Sequence, residues 1–362
     1  MKHYLITGGA GFIGSNFIHY LAKYRPEIHI TNLDALTYAG NLENLVDLQR
    51  NPHYHFFHSN ICDIHSLVEL FRNYQFDAVI HFAAESHVDR SIENPMAFIQ
   101  TNVVGTANLL GANLGFWQNL GTVKKNAFRF LHISTDEVFG SLGGDDEPFS
   151  ESTPYSPNSP YAASKAASDH LVRSYFHTFD FPAIITNCSN NYGPYQFPEK
   201  LIPLIILNAV LGKPLPVYGD GGQIRDWLYV ADHCAALLSV LEEGKPGQTY
   251  NIGGNNQPTN LQVVQKICAL LDELLPNSKY KPHANLISFV KDRPGHDRRY
   301  AMNIEKINSQ TGWRPSVTFE EGLRSTVQWY LANQQWVRSV LEKPGYNEWI
   351  KTNYQKREGS SI

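Results

Sequence analysis

The sequence predicts an α/β fold in which a doubly wound parallel sheet is joined to a smaller C-terminal lobe. The first observation is that short β-rich apolar runs alternate with segments of helical spacing along the N-terminal part of the chain. Neighbouring parallel strands need crossover connections, so this alternation covers both faces of one sheet with helices. The second observation is a change after residue 192, where prolines and glycines become dense and the alternation becomes irregular.

Each predicted strand is a short apolar run rich in β-branched or aromatic residues, and each predicted helix repeats apolar residues every three or four positions. The predicted strands, in chain order, are HYLIT, IHITNLD, HYHFFHSNI, FDAVIHFAA, FRFLHIS and FPAIITNCSN. The predicted helices are IGSNFIHYLAKY, PMAFIQTNVVGTANLLGANL, PYAASKAASDHLVRSYFHTF, VADHCAALLSVLEEG and LQVVQKICALLDELL. Two of them begin with proline, which is favoured in the first helical turn.

These elements divide the chain into three expected regions. Residues 1–191, with a returning segment at about 225–255, are expected to form the sheet unit. Residues 192–340 are expected to form the lobe, interleaved with the end of the sheet. Residues 341–362 remain as a tail, and its polar end, YQKREGSSI, is expected to be frayed.

Composition excludes several classes of protein. With 362 residues, 42% hydrophobic and 18% charged, the chain is neither disordered nor fibrous. A net charge of −4 without blocks of like charge gives no indication of nucleic-acid or membrane binding.

The four cysteines form no CxxC pair or ligand cluster, so we expect neither disulfides nor a metal site. The N-terminus enters a strand directly and not a signal peptide, which predicts a cytoplasmic protein.

The stretch GGAGFIG follows the first predicted strand and opens the first predicted helix. Gly8, Gly11 and Gly14 fit a tight turn, a close backbone approach to a pyrophosphate and close packing of helix on strand. Free N–H groups at the helix start then face the phosphates. Asp34 closes the next strand, where a carboxylate binds ribose hydroxyls and repels a 2′-phosphate. The sequence therefore predicts a Rossmann sheet that binds NAD and not NADP.

The GxxGxxG spacing resembles the extended short-chain dehydrogenase/reductase family, as do NICDI at residues 60–64 and FAAES at residues 82–86. The resemblance implies an adenine contact in the first of these segments and a contact beside the nicotinamide ribose in the second. The residues it assigns to the NAD site are Gly8, Gly11, Phe12, Ile13, Gly14, Asp34, Thr37, Asp63, Ile64, Ala83, Ala84, Ser86, Thr101, Tyr161, Lys165 and Asn191.

In SPYAASK, Tyr161 and Lys165 lie four residues apart on a predicted helix and so share one face. An ammonium group near a phenol favours the phenolate and lowers its pKa toward working pH. Such a phenol can take the proton of a sugar hydroxyl while hydride leaves the same carbon. The alternative is an ordinary amphipathic helix, on which this pair is common.

The predicted strand FRFLHIS runs into STDEVFG, which places Thr135, Asp136 and Glu137 at the carboxyl edge of the sheet. Two carboxyls with opposite protonation states can divide acid and base work in an elimination of water, whereas a simple dehydrogenase or an epimerase needs neither. Adjacent strand residues point to opposite faces, so both acids reach one substrate only if the strand geometry ends here. A capping Asp beside a solvated Glu is the alternative.

Seven segments together resemble the dTDP-glucose 4,6-dehydratase family, from Met1 to about residue 340. They are STDEVFG, AAESHVDRS, SPYAASKAASDHLV, TNCSNNYGPYQFPEKLIP, GDGGQIRDWLYVADH, YNIGG and DRPGHDRRYAMN. The resemblance implies a carbon–oxygen lyase in which hydride leaves C4 of the hexose for NAD and returns to C6. It assigns catalysis to Thr135 (C4 oxygen), Asp136 (acid at the C6 oxygen), Glu137 (base at C5), Tyr161 (base at the C4 hydroxyl) and Lys165 (its partner).

The same resemblance implies a dTDP-glucose site between the sheet unit and the lobe. Its residues would be Ser86, Thr135, Asn190, Glu199, Lys200, Leu201, Pro216, Tyr218, Arg225, Asn260, Arg293 and His296. It also implies a homodimer in which helices 95–114 and 160–178 form a four-helix bundle. Another nucleotide-sugar 4,6-dehydratase, a 4-epimerase or decarboxylase of the same fold, and a non-catalytic NAD-sensing protein remain as alternatives.

Overall fold

The computed structural model describes residues 1–358, with side chains described through residue 353. These residues contain eleven strands: β1 (His3–Thr7), β2 (His29–Asp34), β3 (Tyr54–His58), β4 (Ala78–His81), β5 (Arg129–Thr135), β6 (Ala183–Cys188), β7 (Asn190–Tyr192), β8 (Leu215–Tyr218), β9 (Trp227–Tyr229), β10 (Thr249–Ile252) and β11 (Ile287–Val290).

The α-helices of the same residues are α1 (Phe12–Tyr24), α2 (Ile64–Asn73), α3 (Val88–Glu93), α4 (Pro95–Phe98), α5 (Thr106–Gln118), α6 (Thr122–Ala127), α7 (Pro160–Phe179), α8 (Leu201–Leu211), α9 (Val230–Glu243), α10 (Asn260–Leu274), α11 (Glu305–Thr311), α12 (Phe319–Ala332), α13 (Gln334–Leu341) and α14 (Tyr346–Glu358). Tighter 3₁₀ segments cover Leu42–Leu48, Asp136–Phe139 and His283–Leu286, and a π-helical segment covers Ile99–Gly105.

Seven of the strands form one parallel sheet in the order β10–β6–β5–β4–β1–β2–β3. β1 pairs on one side with β2 (Tyr4 with Ile30) and on the other with β4 (Tyr4 with Ala78). The direction of winding therefore reverses between β1 and β4, and ligands of open α/β sheets bind at such a switch point. The predicted doubly wound parallel sheet is confirmed.

Each face of the sheet supports its own apolar core, because successive residues of β1 point in opposite directions. Ile6 belongs to a core that includes Phe17 of α1 and Leu237 of α9. Leu5 belongs to the opposite core, with Leu109 of α5 and Leu70 of α2. Leu5 and Ile6 are both fully buried, and this burial on two faces explains why apolar residues follow one another in the central strand β1.

A further core lies in the C-terminal half, where α8, α10 and α12 pack through residues such as Ile205, Val264 and Leu323. Two small parallel sheets, β8 with β11 and β7 with β9, accompany these helices. Among residues 193–358, β10 is the one strand that returns to the main sheet, where it pairs with β6.

The predicted helix at 95–114 is present and longer, since α4, the π-helical segment and α5 follow one another without a break from Pro95 to Gln118. The π-helical segment contains Gly105, where an added Cβ would come 2.7 Å from Cδ1 of Ile61. Local π geometry is often found at functional sites. Thr101, within this segment, lines the cleft at the carboxyl edge of the sheet.

The expectation of a frayed tail is wrong for residues 354–358, which continue α14 to Glu358. The helix is held at its start by Tyr346, whose ring is buried against Phe197. Residues 359–362 lie outside the described part of the chain.

Candidate active site

A cleft of about 300 Å³ opens at the carboxyl edge of the sheet, at the switch point between β1 and β4. It is lined by the loops that follow β1, β2, β4 and β5 and by the start of α7. The sequence-predicted residues that line it are Gly8, Gly11, Phe12, Ile13, Gly14, Asp34, Thr37, Ala83, Ala84, Ser86, Thr101, Thr135, Asp136, Glu137, Tyr161, Lys165, Asn190, Asn191, Glu199 and Lys200.

The glycine loop between β1 and α1 is packed too closely for side chains. Gly8 has a φ of +72°, and a Cβ on it would come 2.6 Å from the backbone nitrogen of Ala83. A Cβ on Gly14 would come 2.4 Å from the carbonyl oxygen of Gly8. Gly11 is the N-cap of α1, and no side chain caps this helix. The loop thus presents backbone N–H groups to the cleft, as a pyrophosphate site requires.

Asp34 ends β2 inside the cleft and is buried. Its carboxylate accepts hydrogen bonds from the backbone N–H groups of Ala10 (2.9 Å) and Leu36 (2.8 Å). Burial raises the pKa of Asp34, and these two bonds oppose the rise. The carboxylate is fixed in direction, and the glycine cradle and Asp34 together fit an NAD molecule.

The strand geometry ends where the acid pair begins. β5 stops at Thr135, and Asp136–Phe139 form a 3₁₀ turn, so Asp136 and Glu137 do not alternate across the sheet. The Thr135 hydroxyl accepts a hydrogen bond from the N–H of Glu137 (3.3 Å) and donates to Oδ1 of Asp136 (3.2 Å). Both acids line the cleft.

The two carboxyls differ in electrostatic surroundings. Burial raises the pKa of Asp136 well above its usual range, and the neighbouring carboxylates of Glu137 and Asp226 raise it further. Burial also raises the pKa of Glu137, but the charges of Arg293, Lys200 and Arg225 oppose that rise. The arrangement favours a proton on Asp136 and a charge on Glu137, which is the division that an acid and a base need.

Tyr161 and Lys165 lie near the start of α7 and are buried in the cleft wall. Burial, and next the charge of Glu137, raise the pKa of Tyr161 well above its usual range. The Lys165 amino group donates to the carbonyl oxygen of Ile133 (2.8 Å), and burial lowers its pKa. The pKa of Tyr161 is therefore raised and not lowered as expected from Lys165, because burial has the largest effect on it.

Arg225, Arg293, His296 and Tyr218 form a second group next to the acids. Arg293 and Arg225 both act electrostatically on Glu137, although 68 residues separate their positions. His296 lies 6.1 Å from Tyr218 between ring centroids, and burial, with the charges of Arg293 and Arg225, lowers its pKa to about 4. We name these four residues the cationic end of the site.

Several sequence-predicted residues do not line the cleft: Asp63, Ile64, Leu201, Pro216, Tyr218, Arg225, Asn260, Arg293 and His296. Asp63 is the N-cap of α2 and accepts from the N–H groups of His65 and Ser66, while Ile64 is exposed. Asn60 and Ile61 line the cleft in their place. Leu201 and Asn260 are the first residues of α8 and α10.

A family model described as GDP-mannose 4,6 dehydratase matches residues 5–326. The dTDP-glucose 4,6-dehydratase of Salmonella typhimurium is 56% identical over 362 residues, covering 98% of this chain and 99% of that protein.

The crystal structure of dTDP-glucose 4,6-dehydratase from Bacillus anthracis, in complex with NAD, superposes with a TM-score of 0.83 at 45% identity. The match covers 94% of this chain and 100% of that one. The Streptomyces venezuelae dTDP-glucose 4,6-dehydratase, also solved with NAD bound, gives a TM-score of 0.84 at 42% identity over the same shares of the two chains. The chain belongs to the dTDP-glucose 4,6-dehydratase family.

In this dTDP-glucose 4,6-dehydratase family member, sequence reasoning missed Asp226. It is buried and accepts from the N–H groups of Gly254 and Asn256, both at 3.1 Å. Burial raises its pKa to about 6, and its charge raises the pKa of Asp136. Its place directly after Arg225 in the segment GDGGQIRDWLYVADH was the available signal.

Two features are absent from the residues that the structure describes. These residues contain no group of three or more His, Cys, Asp or Glu side chains placed to hold a metal ion. None of their helices is both long enough and apolar enough to cross a membrane.

Proposed function

We propose that this chain is an NAD-dependent dTDP-glucose 4,6-dehydratase, which converts its substrate to dTDP-4-keto-6-deoxyglucose. The observation that carries the proposal is the 3₁₀ turn after β5, which puts two acids with different electrostatic surroundings into one cleft. Relatives of that name, similar over nearly the whole chain, support it. Intact Thr135, Tyr161 and Lys165 argue against a non-catalytic NAD sensor, and the acid pair argues against an epimerase or decarboxylase.

The cofactor would be held by the glycine loop at its pyrophosphate and by Asp34 at its adenosine ribose. Thr37, Ala83, Ala84, Thr101 and Asn191 complete the wall of this part of the cleft. When bound, NAD supplies a cationic nicotinamide that can take hydride from C4 of the sugar and later return it to C6. We propose that the sheet unit serves this cofactor and that the lobe serves the sugar nucleotide.

At C4, Tyr161 would take the hydroxyl proton, and Thr135 would hold the C4 oxygen. The role of Lys165 is to hold positive charge on the same helix face, four residues from the tyrosine. A ketone at C4 makes the C5 proton acidic, and Glu137 would remove it. Asp136, which keeps its proton, would give that proton to the departing C6 hydroxyl as water leaves.

The sugar nucleotide would run from Ser86 and Asn190, beside the acids, to the cationic end. Arg225 and Arg293 offer the charge-assisted hydrogen bonds that a diphosphate accepts. The other contacts that we propose are Glu199, Lys200, Leu201, Pro216, Tyr218, Asn260 and His296.

The proposal is tested with dTDP-glucose deuterated at C4. We expect a 4-keto-6-deoxy product that carries the deuterium at C6, observed by NMR and mass spectrometry. UDP-glucose and GDP-mannose, run in parallel, distinguish a dTDP-glucose enzyme from another nucleotide-sugar 4,6-dehydratase. A C4 epimer, deuterium lost to solvent, or no turnover of any of the three substrates contradicts the proposal.

We also propose a homodimer through helices 95–114 and 160–178. Apolar side chains are exposed along the first of these, at Met96 (68%), Ile99 (37%) and Val104 (38%). We expect Met96→Asp to shift the protein from dimer to monomer in size-exclusion chromatography with light scattering, because a charge would be buried in the bundle. Val123→Asp is the control, since Val123 is 84% exposed on α6. A wild-type monomer, or an unchanged dimer in Met96→Asp, contradicts this interface.

A cytoplasmic location is proposed from cysteine chemistry. All four cysteines (Cys62, Cys188, Cys234 and Cys268) are free thiols. Free thiols of this kind fit a reducing compartment.

A further inference from the structure

The C-terminal helix α14 presents one face to the proposed sugar-nucleotide site. Tyr346, Trp349 and Asn353 are spaced three and four residues apart, so they lie on the same side of the helix. Tyr346 and Asn353 are buried and Trp349 is half-buried. The function proposed above uses none of the three residues.

Tyr346 attaches the first turn of the helix to the segment that precedes Glu199. Its hydroxyl donates a hydrogen bond to the carbonyl oxygen of Pro198 (3.0 Å). Its ring meets that of Phe197 edge-on, at 5.7 Å between centroids. Because Phe197 and Glu199 line the cleft, this turn is fixed directly behind the cleft wall.

Trp349 contacts the residue that holds Glu199. The guanidinium carbon of Arg90 lies 4.2 Å from the Trp349 ring centroid and 3.9 Å from that of Tyr38. Nε of Arg90 donates to Oε2 of Glu199 at 2.9 Å. Contact with the rings of Trp349 and Tyr38 restricts the position of the Arg90 guanidinium. Trp349 therefore restricts the position of the Glu199 carboxylate, which accepts a hydrogen bond from Arg90.

Asn353 contacts the cationic end. Its amide donates to Oδ2 of Asp89 and to the hydroxyl of Tyr218, both at 3.4 Å. The Tyr218 hydroxyl donates to the same Asp89 oxygen at 3.2 Å. Oδ1 of Asp89 lies 3.8 Å from Nη1 of Arg293. Asn353 therefore joins a network that contains two of the residues proposed to bind the nucleotide.

We propose that Trp349 and Asn353 are positioning residues of the sugar-nucleotide site, Trp349 through Arg90 and Glu199, and Asn353 through Tyr218 and Asp89. This inference rests on the proposed function, because it needs the same nucleotide at the cationic end of the site. The helix orients side chains that bind the substrate, and it takes no part in the chemistry or in holding NAD.

The test compares Trp349→Ala and Asn353→Ala with Lys351→Ala, whose side chain is exposed and faces away from the site. Calorimetry gives the Kd of dTDP and of NAD, and steady-state kinetics give KM and kcat with dTDP-glucose. We expect Asn353→Ala to raise the Kd of dTDP about fivefold, because one hydrogen bond is lost. Trp349→Ala and Asn353→Ala should each raise KM for dTDP-glucose about fivefold, because each variant loses one cation–π contact or one hydrogen bond. The values of kcat and of the Kd for NAD should stay within about twofold of wild type.

A purely structural helix would lower thermal stability and the active fraction without changing KM. Trp349→Phe, which keeps an aromatic ring over Arg90, should restore KM and thereby separates positioning from folding. Wild-type values of KM and of the dTDP Kd in both alanine variants overturn the inference while leaving the proposed function standing. A wild-type protein that does not bind dTDP overturns the proposed function, and this inference with it.

Discussion

Glu137→Gln should reduce turnover of dTDP-glucose by about 10²- to 10⁴-fold, the usual contribution of one general base. The change keeps the size of the side chain and removes the carboxylate that would take the C5 proton. Oxidation at C4, which we assign to Tyr161, should survive, so the absorbance of reduced nicotinamide should rise on mixing with substrate. Product formation is followed by NMR, and folding is checked by thermal unfolding.

Glu147→Gln is the matched control, because this exposed glutamate lies outside the cleft. Wild-type turnover in Glu137→Gln would remove Glu137 from the base role. Turnover lost with no rise in reduced nicotinamide would mean that Glu137 is needed already for oxidation.

The pH profile follows from the same pair of acids. A base acts deprotonated, and burial raises the pKa of Glu137. Activity should therefore fall as the pH is lowered through the raised pKa of Glu137, which lies above the pKa of about 4.3 of an ordinary glutamate. Asp136 acts protonated, and its pKa is raised further, so activity should fall again as the pH rises through that second value. The two apparent pKa values of this profile belong to the coupled pair of carboxyls and not to either residue alone.

Tyr161→Phe should reduce turnover by about 10²- to 10⁴-fold as well, because it removes the base at C4. The two variants differ in one observable: no reduced nicotinamide should appear in Tyr161→Phe, since oxidation itself is blocked. The affinity for dTDP, measured by calorimetry, should be unchanged. Tyr175→Phe, farther along α7, is the matched control. Reduced nicotinamide accumulating at the wild-type rate in Tyr161→Phe would assign the C4 proton to another group.

Sequence patterns predicted six of the seven strands of the main sheet, all but β10, and much of the cleft. β1 and β2 were predicted within one residue of their ends, because each is a short β-rich run that a turn segment ends. The glycine loop and Asp34 were predictable because a pyrophosphate and a ribose require particular residues at a fixed spacing. The position of Glu137 relative to the sheet depended on a local turn, which the structure shows as 3₁₀.

Contacts between distant segments were beyond sequence reasoning. Asp63 caps α2 by accepting from the N–H groups of His65 and Ser66, a role that sequence reasoning did not give, and its contact with adenine stays a prediction. The end of the tail, YQKREGSSI, looked frayed because it is polar, yet residues 354–358 continue α14. The Lys165 amino group donates a hydrogen bond to the carbonyl oxygen of Ile133, a contact that its spacing from Tyr161 does not reveal. Each outcome was decided by competition between partners in three dimensions.

The 3₁₀ turn after β5 also has a consequence for redesign. The cleft wall proposed to hold the cofactor follows β1, β2 and β4, whereas the acids proposed to decide the fate of the ketone lie on one short turn after a different strand. On the proposed roles, redox chemistry and product identity depend on separate parts of the fold. A catalyst with another outcome at the same ketone could be sought by varying residues 136 and 137 alone, with the scaffold and its coenzyme left intact.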